Sequence, residues 1–365
     1  MKKDKMSLIY KMMPAGWEEA AKETGALVRS RNISTPEELL RLNFLYQTSG
    51  DSYGLTSALT QISENQTGLN KTAVQKRITN SAQWLKWILQ HLCIEERYLS
   101  EVPQWLKEYR VCLTDASDYS KHGSKNADFR FHHMIELFSF NIVEFHFTEA
   151  REGEKISRYQ EIKPKDIIIA DRAYGTINGM EYVADKGADF LFRLRAKAFN
   201  LYTEKNELFD LTEYLQENYE AGKVIDLKLF YKSGKSYHPV RICAVAKYEK
   251  DIEKSYKHIK KSNSKKSRGK VTDLQKIYSN YVVVATSLPE TIYARHILEL
   301  YRMRWQIELV FKRLKSIFGG DFCAKKKEAV EAWFYGKLLL AVICEIFVKR
   351  GRFSPCNENI DNSEM

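Results

Sequence analysis

YRMRWQIELVFKRLK, residues 301–315, decides how this chain is read. At about 100° per residue in an α-helix, Tyr301, Arg304, Glu308 and Lys315 fall at roughly 0°, 300°, 340° and 320°, within one arc about 60° wide. Met303, Ile307, Val310, Leu314 and Ile317 fall between roughly 160° and 240°, a separate apolar stripe suited to a core. The spacing predicts one anchored helix that holds a carboxylate between two cations and a phenol. That is an arrangement for handling phosphate and metal. Arg304 and Glu308 are equally an ordinary i,i+4 pair, worth about 0.3 kcal/mol on a solvated face, and the stretch taken alone does not decide between the two readings.

Two aspartates upstream add to the pattern. YRVCLTDAS, residues 109–117, reads as a short apolar strand ending in Asp115. DIIIADRAYG, residues 166–175, gives a continuous apolar run from Ile167 to Ala170 ending in Asp171. In open α/β sheets such strand ends fix side chains rigidly while leaving them accessible. Two carboxylates there, with a third from a helix, supply the hard oxygen ligands that Mg²⁺ prefers, leaving positions for water and phosphate oxygens. Two such ions about 3.5–4 Å apart activate an attacking oxygen and stabilise a leaving one. An aspartate after a strand is otherwise a turn or cap residue, so the order Asp, Asp, Glu carries the weight. His122 and the pair His132-His133 read as strand-edge residues rather than ligands, and Trp305 as packing against the sheet.

The run Tyr301-x-x-Arg304-x-x-x-Glu308-x-x-x-x-x-x-Lys315 resembles the YREK signature of insertion-sequence-four-type DDE transposases. LTDAS around Asp115 and IIIADRAYG around Asp171 resemble that family's two aspartate motifs, and the likeness spans roughly residues 35–345. It implies a mixed α/β fold with a ribonuclease-H-like catalytic core, interrupted by a β-rich insertion domain. It also implies Asp115, Asp171 and Glu308 as catalytic metal ligands for Mg²⁺, with Mn²⁺ as substitute, and Tyr301, Arg304 and Lys315 as contacts to the DNA end. Arg172, next to the second aspartate, is expected to form a structural salt bridge. The implied reaction frees a 3′-OH at the element's end and joins it to target DNA, in a homodimeric complex with double-stranded DNA. Some relatives pass through a DNA hairpin and stack a tryptophan of the insertion on a flipped base. All six tryptophans here lie outside residues 200–285, so Tyr202, Phe230, Tyr231 and Tyr237 are the substitutes on offer and the hairpin step stays open. A ribonuclease-H-like nuclease without strand transfer, and an inactive DNA-binding regulator, remain the alternatives.

The rest of the chain is consistent with that reading. Its 365 residues suffice for two or three cores, and 44% hydrophobic content describes a globular protein. The net charge of +11 points to a polyanion such as DNA. Residues 254–270 hold eight Lys or Arg and no acid, which predicts a basic loop in which Lys260, Lys261, Lys265, Lys266 and Arg268 contact phosphates. No secretory signal or membrane span is evident, so the cytoplasm, beside the nucleoid, is the expected compartment. Six scattered cysteines form no C-x-x-C pair, and Cys112 and Cys344 read as core residues. Residues 34–50 open with a helix start at Ser34 or Thr35 and Pro36 and end at Gly50; residues 70–91 read as a single amphipathic helix anchored by Trp84, Leu85 and Trp87. The expected organisation begins with a helical DNA-binding region at 1–105. The catalytic core follows in two segments, 106–198 and 288–350, with the β-rich insertion at 199–287 between them and a polar tail at 351–365.

Overall fold

The computed structural model describes residues 6–28, 32–49, 51–64, 69–92, 102–120, 123–139, 141–265, 269–305, 308 and 327–350, without the side chains of 61–64, 265, 345 and 347–350. Lys315, Lys266, Arg268, His122, Gly50, the core positions Ile307, Val310, Leu314 and Ile317, and the tail lie outside the described residues, as does the side chain of Lys265. Contacts divide the chain into two compact units, one of residues 1–96, 118–130 and 310–365, the other of residues 97–117 and 131–309.

The first unit is helical. Its described helices are α1 (Met6–Tyr10), α2 (Trp17–Glu23), α3 (Pro36–Thr48), α4 (Tyr53–Glu64), α5 (Lys71–Asn80) and α6 (Ala82–His91). The long C-terminal helix Lys327–Arg350, numbered α12 in chain order, packs on α3, α5 and α6. Thr35 caps α3 in a full capping box with Glu38, and Pro36 occupies the first turn, as the sequence predicts. The single helix expected over 70–91 is two. Ser81 ends α5 and begins α6, and its hydroxyl takes a hydrogen bond from buried Asn43 while donating to the Arg77 carbonyl. A small polar residue inside an apolar stripe bends the chain here, because its hydroxyl competes for backbone groups. Trp84 is fully buried, stacks on Trp17 and donates its indole N–H to the Trp17 carbonyl at 2.7 Å. Gly336 of α12 sits so close to Gln47 that a Cβ would meet its amide. Cys344 is exposed rather than core.

The second unit is built on a ten-stranded sheet in the order β3-β2-β1-β4-β5-β10-β9-β8-β6-β7. The strands are β1 (Arg110–Tyr119), β2 (Phe129–Glu136), β3 (Ile142–Glu149), β4 (Asp166–Ala170), β5 (Asp189–Arg193), β6 (Leu201–Tyr202), β7 (Leu208–Phe209), β8 (Val224–Ser233), β9 (Ser236–Ala246) and β10 (Tyr281–Thr286). β1, β4 and β5 run parallel; β10 joins β5 antiparallel, so β6 to β10 extend the same sheet. Four helices accompany them: α7 (Ile177–Asp185), α8 (Leu211–Glu217), α9 (Glu249–Lys265) and α10 (Asp273–Ser279). A fifth, α11 (Ala294–Arg302), leads into Met303 and Arg304. β4 is buried at every position, as a parallel strand covered on both faces should be.

The basic segment expected as a loop is helical through most of its length. Ile252, Ser255, Ile259 and Asn263 recur at helical spacing and form the inner face of α9, while Lys254, Lys257, Lys260 and Lys261 stand exposed. Asn263 donates to Gln275 of α10 at 3.0 Å. Lysine side chains are good helix formers once an apolar face anchors the turn. Charge counting alone misses that face.

Candidate active site

A salt bridge at one end of the parallel strands sets what emerges at the other. Arg110 and Asp166 are register partners on β1 and β4, joined by two hydrogen bonds of 2.8 and 2.6 Å, with Asp166 buried. The pairing runs on to Leu113 opposite Ile169. Two further places along that register put Asp115 level with Asp171, each five residues past the bridge. Neighbouring strands lie about 4.8 Å apart, so the two aspartates reach the same edge of the sheet. Asp115 does not end its strand as expected: β1 continues to Tyr119, but its pairing with β4 stops two residues before the aspartate.

Asp171 opens a tight turn. The Tyr174 amide returns to the Asp171 carbonyl at 3.1 Å, and Thr176 then caps α7 by accepting from the Gly179 amide. Gly175 is required there, because a Cβ would stand 2.7 Å from the Arg193 carbonyl at the end of β5. The aspartate motif is thus a strand–turn–helix pressed against its neighbouring strand.

The 301–315 stretch is not one continuous helix. α11 ends at Arg302, Met303 caps it, and the amides of Met303 and Arg304 make i→i+3 bonds to Leu300 and Tyr301 before helical geometry resumes at Trp305. Tightened bonds of this kind close a helix end. Tyr301 is consequently buried, while Met303, expected in the core, is 37% exposed and Trp305, expected against the sheet, is 56% exposed. The single polar arc of the helical wheel is broken at this turn.

The turn nevertheless brings the charges together. The Arg304 guanidinium hydrogen-bonds Glu308 at 2.5 Å and lies 4.0 Å from the carboxylate of Asp115, with only 12% of its side chain exposed. Burial pushes the Asp115 carboxyl up to about 6; the Ala116 amide and Arg304 oppose that rise, and Glu154 and Glu308 add to it. For Arg304 burial acts downward, but Tyr301, the bond to Glu308 and the charge of Asp171 outweigh it and raise its pKa. One guanidinium therefore feels all three carboxylates. The Tyr301 ring lies 6.0 Å from it, and the buried Tyr301 hydroxyl has no hydrogen bond of normal geometry.

Two cations at this edge stand out less in the sequence than in the fold. Arg172, expected in a structural salt bridge, has none among the described residues, and neither has Arg193. Arg172 is accessible at the surface, but protein atoms desolvate its guanidinium, and that burial followed by the charge of Arg193 lowers its pKa. The run FLFRLR at 190–195 is the available signal for Arg193: an apolar strand ending in arginine beside an Asp-Arg turn. Glu154, which acts on Asp115, has no signal at all. His132 and His133 are both buried, with His132 paired to Thr148 at 3.0 Å. Of the aromatic residues offered for base stacking, Tyr231 is buried between Phe199 and His238, whereas Tyr202 and Tyr237 form an edge-to-face pair at 5.1 Å.

The donor chemistry suits a hard divalent cation, since Asp115, Asp171 and Glu308 offer oxygen only. Among the described residues, however, no three of His, Cys, Asp or Glu stand close enough to hold one. Between Asp115 and Glu308 the positive charge is the Arg304 guanidinium.

A strand order with parallel β1, β4 and β5 at its centre and acids gathered at one edge is that of a ribonuclease-H-like phosphoryl-transfer core. The family model described as "Transposase DDE domain" matches residues 107–343, and the chain belongs to that family. The putative transposase InsL for insertion sequence element IS186A of Escherichia coli K12 is 29% identical to it over 345 residues, covering 92% of this chain and 91% of the relative. The transposase for IS421 of Escherichia coli is also 29% identical, over 92% and 91%. The transposase for IS231F of Bacillus thuringiensis subsp. israelensis is 24% identical, over 76% and 64%. The chain is an insertion-sequence transposase, an enzyme that acts on DNA. No helix among the described residues is long and apolar enough to cross a membrane.

Proposed function

We propose that Asp115, Asp171 and Glu308 are the catalytic carboxylates of this transposase and bind Mg²⁺, with Mn²⁺ as substitute. The observation that carries this reading is the single guanidinium of Arg304, paired to Glu308, 4.0 Å from Asp115 and coupled through space to Asp171. When bound, divalent ions supply Lewis-acid activation of the attacking oxygen and charge stabilisation of the leaving one. The protein's role is to hold the carboxylates on strand ends, keep water out through Tyr301, Tyr174 and the DRAYG turn, and offer cations to the phosphates. Arg172, Arg193 and Arg304 give bidentate forks; Tyr301 and Lys315 are further contacts to the DNA end. The exposed lysines of α9, Lys260 and Lys261 among them, add phosphate contacts, and Lys265, Lys266 and Arg268 are assigned the same role from the sequence.

The reaction follows as hydrolysis at the element's end to free a 3′-OH, then attack of that 3′-OH on target DNA. The terminal repeats are gripped by the helical region 1–105, within a homodimeric complex on DNA in the cytoplasm. Residues 106–198 and 288–350 form the catalytic core and 199–287 the insertion. Asp115→Asn and Glu308→Gln are each expected to lower strand cleavage about 10³-fold, the loss of several kcal/mol of charge stabilisation, while leaving binding to terminal-repeat DNA intact. Cleavage by either variant at the native rate removes these residues from the site. Native cleavage without any joining of 3′ ends to target DNA would reduce the protein to a nuclease.

A further inference from the structure

We infer that Arg304 is a resident counter-cation that keeps the carboxylate site closed to metal until DNA arrives. The inference rests on the carboxylate reading of the site and concerns what fills it when DNA is absent.

Four observations support it. The guanidinium sits between two carboxylates, bonded to Glu308 and 4.0 Å from Asp115. It is nearly enclosed, with 12% of its side chain exposed, so its charge is held against Asp115 in a medium of reduced dielectric, while Glu308 on the other side is 43% exposed. It is held by a turn, because Arg304 lies at the tightened junction after α11. Tyr301 holds it on a further side, with its ring 6.0 Å from the guanidinium carbon and its buried phenol acting on the same charge. An arginine cannot shed its charge. A divalent ion joining Asp115 to Glu308 therefore meets a fixed positive charge at contact distance and must displace it.

DNA supplies the reason to move. A DNA phosphodiester offers the guanidinium a bidentate partner of the same charge as a carboxylate, set in a polyanion whose neighbouring phosphates add to the attraction. Once Arg304 turns toward phosphate, Asp115 and Glu308 lose their counter-cation and are left for the ion. Metal and DNA binding are then positively coupled, and by linkage the coupling is reciprocal. The arrangement keeps a DNA-cutting centre unloaded when no end is bound.

The test measures Mn²⁺ binding to the full-length protein without DNA, from the electron paramagnetic resonance signal of free Mn²⁺. Arg304→Gln is expected to bind Mn²⁺ at least about tenfold more tightly than the native protein, with Arg304→Lys in between, since it keeps the charge and loses the fork. A duplex carrying the element's own terminal repeat is expected to tighten Mn²⁺ binding in the native protein and to do so less in Arg304→Gln. Circular dichroism establishes that each variant is folded, and Arg304→Lys carries the test if Arg304→Gln is not. Folded variants that bind Mn²⁺ no tighter than the native protein overturn the inference. If Asp115→Asn binds Mn²⁺ as the native protein does, the carboxylate reading itself fails. If Asp115→Asn abolishes binding while Arg304→Gln leaves it unchanged, only the counter-cation is lost.

Discussion

The antiparallel half of the sheet and the C-terminal edge of its parallel strands use arginine in opposite ways; Arg110, at the other end of those parallel strands, is paired with Asp166. In the antiparallel half, Arg241 of β9 is 6% exposed in its side chain and fully engaged: two bonds to Asp226 of β8 at 2.8 and 2.6 Å, and two more to the carbonyls of Pro289 and Ile292. At the parallel edge, Arg172 and Arg193 have no ion pair among the described residues, and Arg304 is shared between carboxylates. Antiparallel strands bring alternate ends to each edge, so their charges are paired off within the ladder. Parallel strands bring all their C-terminal ends to one edge, and there the charges are left for something outside the protein. The same side chain is a staple within the ladder and an open hand at the C-terminal edge.

The largest effect should come from breaking the staple. Arg241→Leu leaves Asp226 and two carbonyls without their donors, and a loss of about 2 kcal/mol or more is expected; Asp226 keeps contact with water, which limits it. Urea unfolding measures this, with DNA affinity per folded molecule unchanged. Arg193→Ala should do the reverse, with stability within about 0.5 kcal/mol of native but weaker binding to DNA at every salt concentration. The slope of log affinity against log salt should fall by about one unit, as for a lost phosphate contact. If Arg193→Ala unfolds the protein while leaving the salt slope alone, the contrast between the halves collapses.

Much of this is legible from residues alone. RVCLTD and DIIIAD each place an aspartate five residues after a charged one, with four mainly apolar residues between. Both motifs stand out along the chain, and their equal length is why the two aspartates come level. The Asp-Arg-Ala-Tyr-Gly turn is visible as well, and the structure adds the reason for its glycine. What the helical wheel misses is the break after Arg302, because a tightened helix end depends on how the chain leaves α11 and not on side-chain periodicity. The same limit hides the division at Ser81. The α9 helix is hidden differently: its apolar face is thin, and eight basic residues outweigh it. Arg193 has only the faint signal of its strand end, and Glu154, in the connection after β3, comes to act on Asp115 through long-range folding that no local spacing records.

Lys247, just after β9, belongs to one half of the sheet and feels the other. Its ammonium donates to Ser255 and to the Ser279 carbonyl, both at 2.8 Å. Burial pushes its pKa down to about 8, and the charges of Arg193 and Arg172 add to that shift, with Asp251 opposing. An unfolded lysine titrates near 10.4. Between about pH 8 and 10.4 the unfolded chain therefore binds more protons than the native one, and the contribution of Lys247 to stability improves as pH rises through that window. Below about pH 8 its full cost is present. Lys247→Met lacks the group, and every other titration is common to both proteins. The stability of native relative to Lys247→Met is thus expected to rise between about pH 7.5 and 9.5 in paired urea melts, by a modest amount because the ammonium is not fully enclosed. Repeated in an Arg193→Ala background, the rise should shrink, since one of the charges that depresses Lys247 is gone. A difference between native and Lys247→Met that ignores pH would mean that Lys247 is not depressed at all, and a rise of undiminished size in the Arg193→Ala background would mean that Arg193 exerts no field on the antiparallel half.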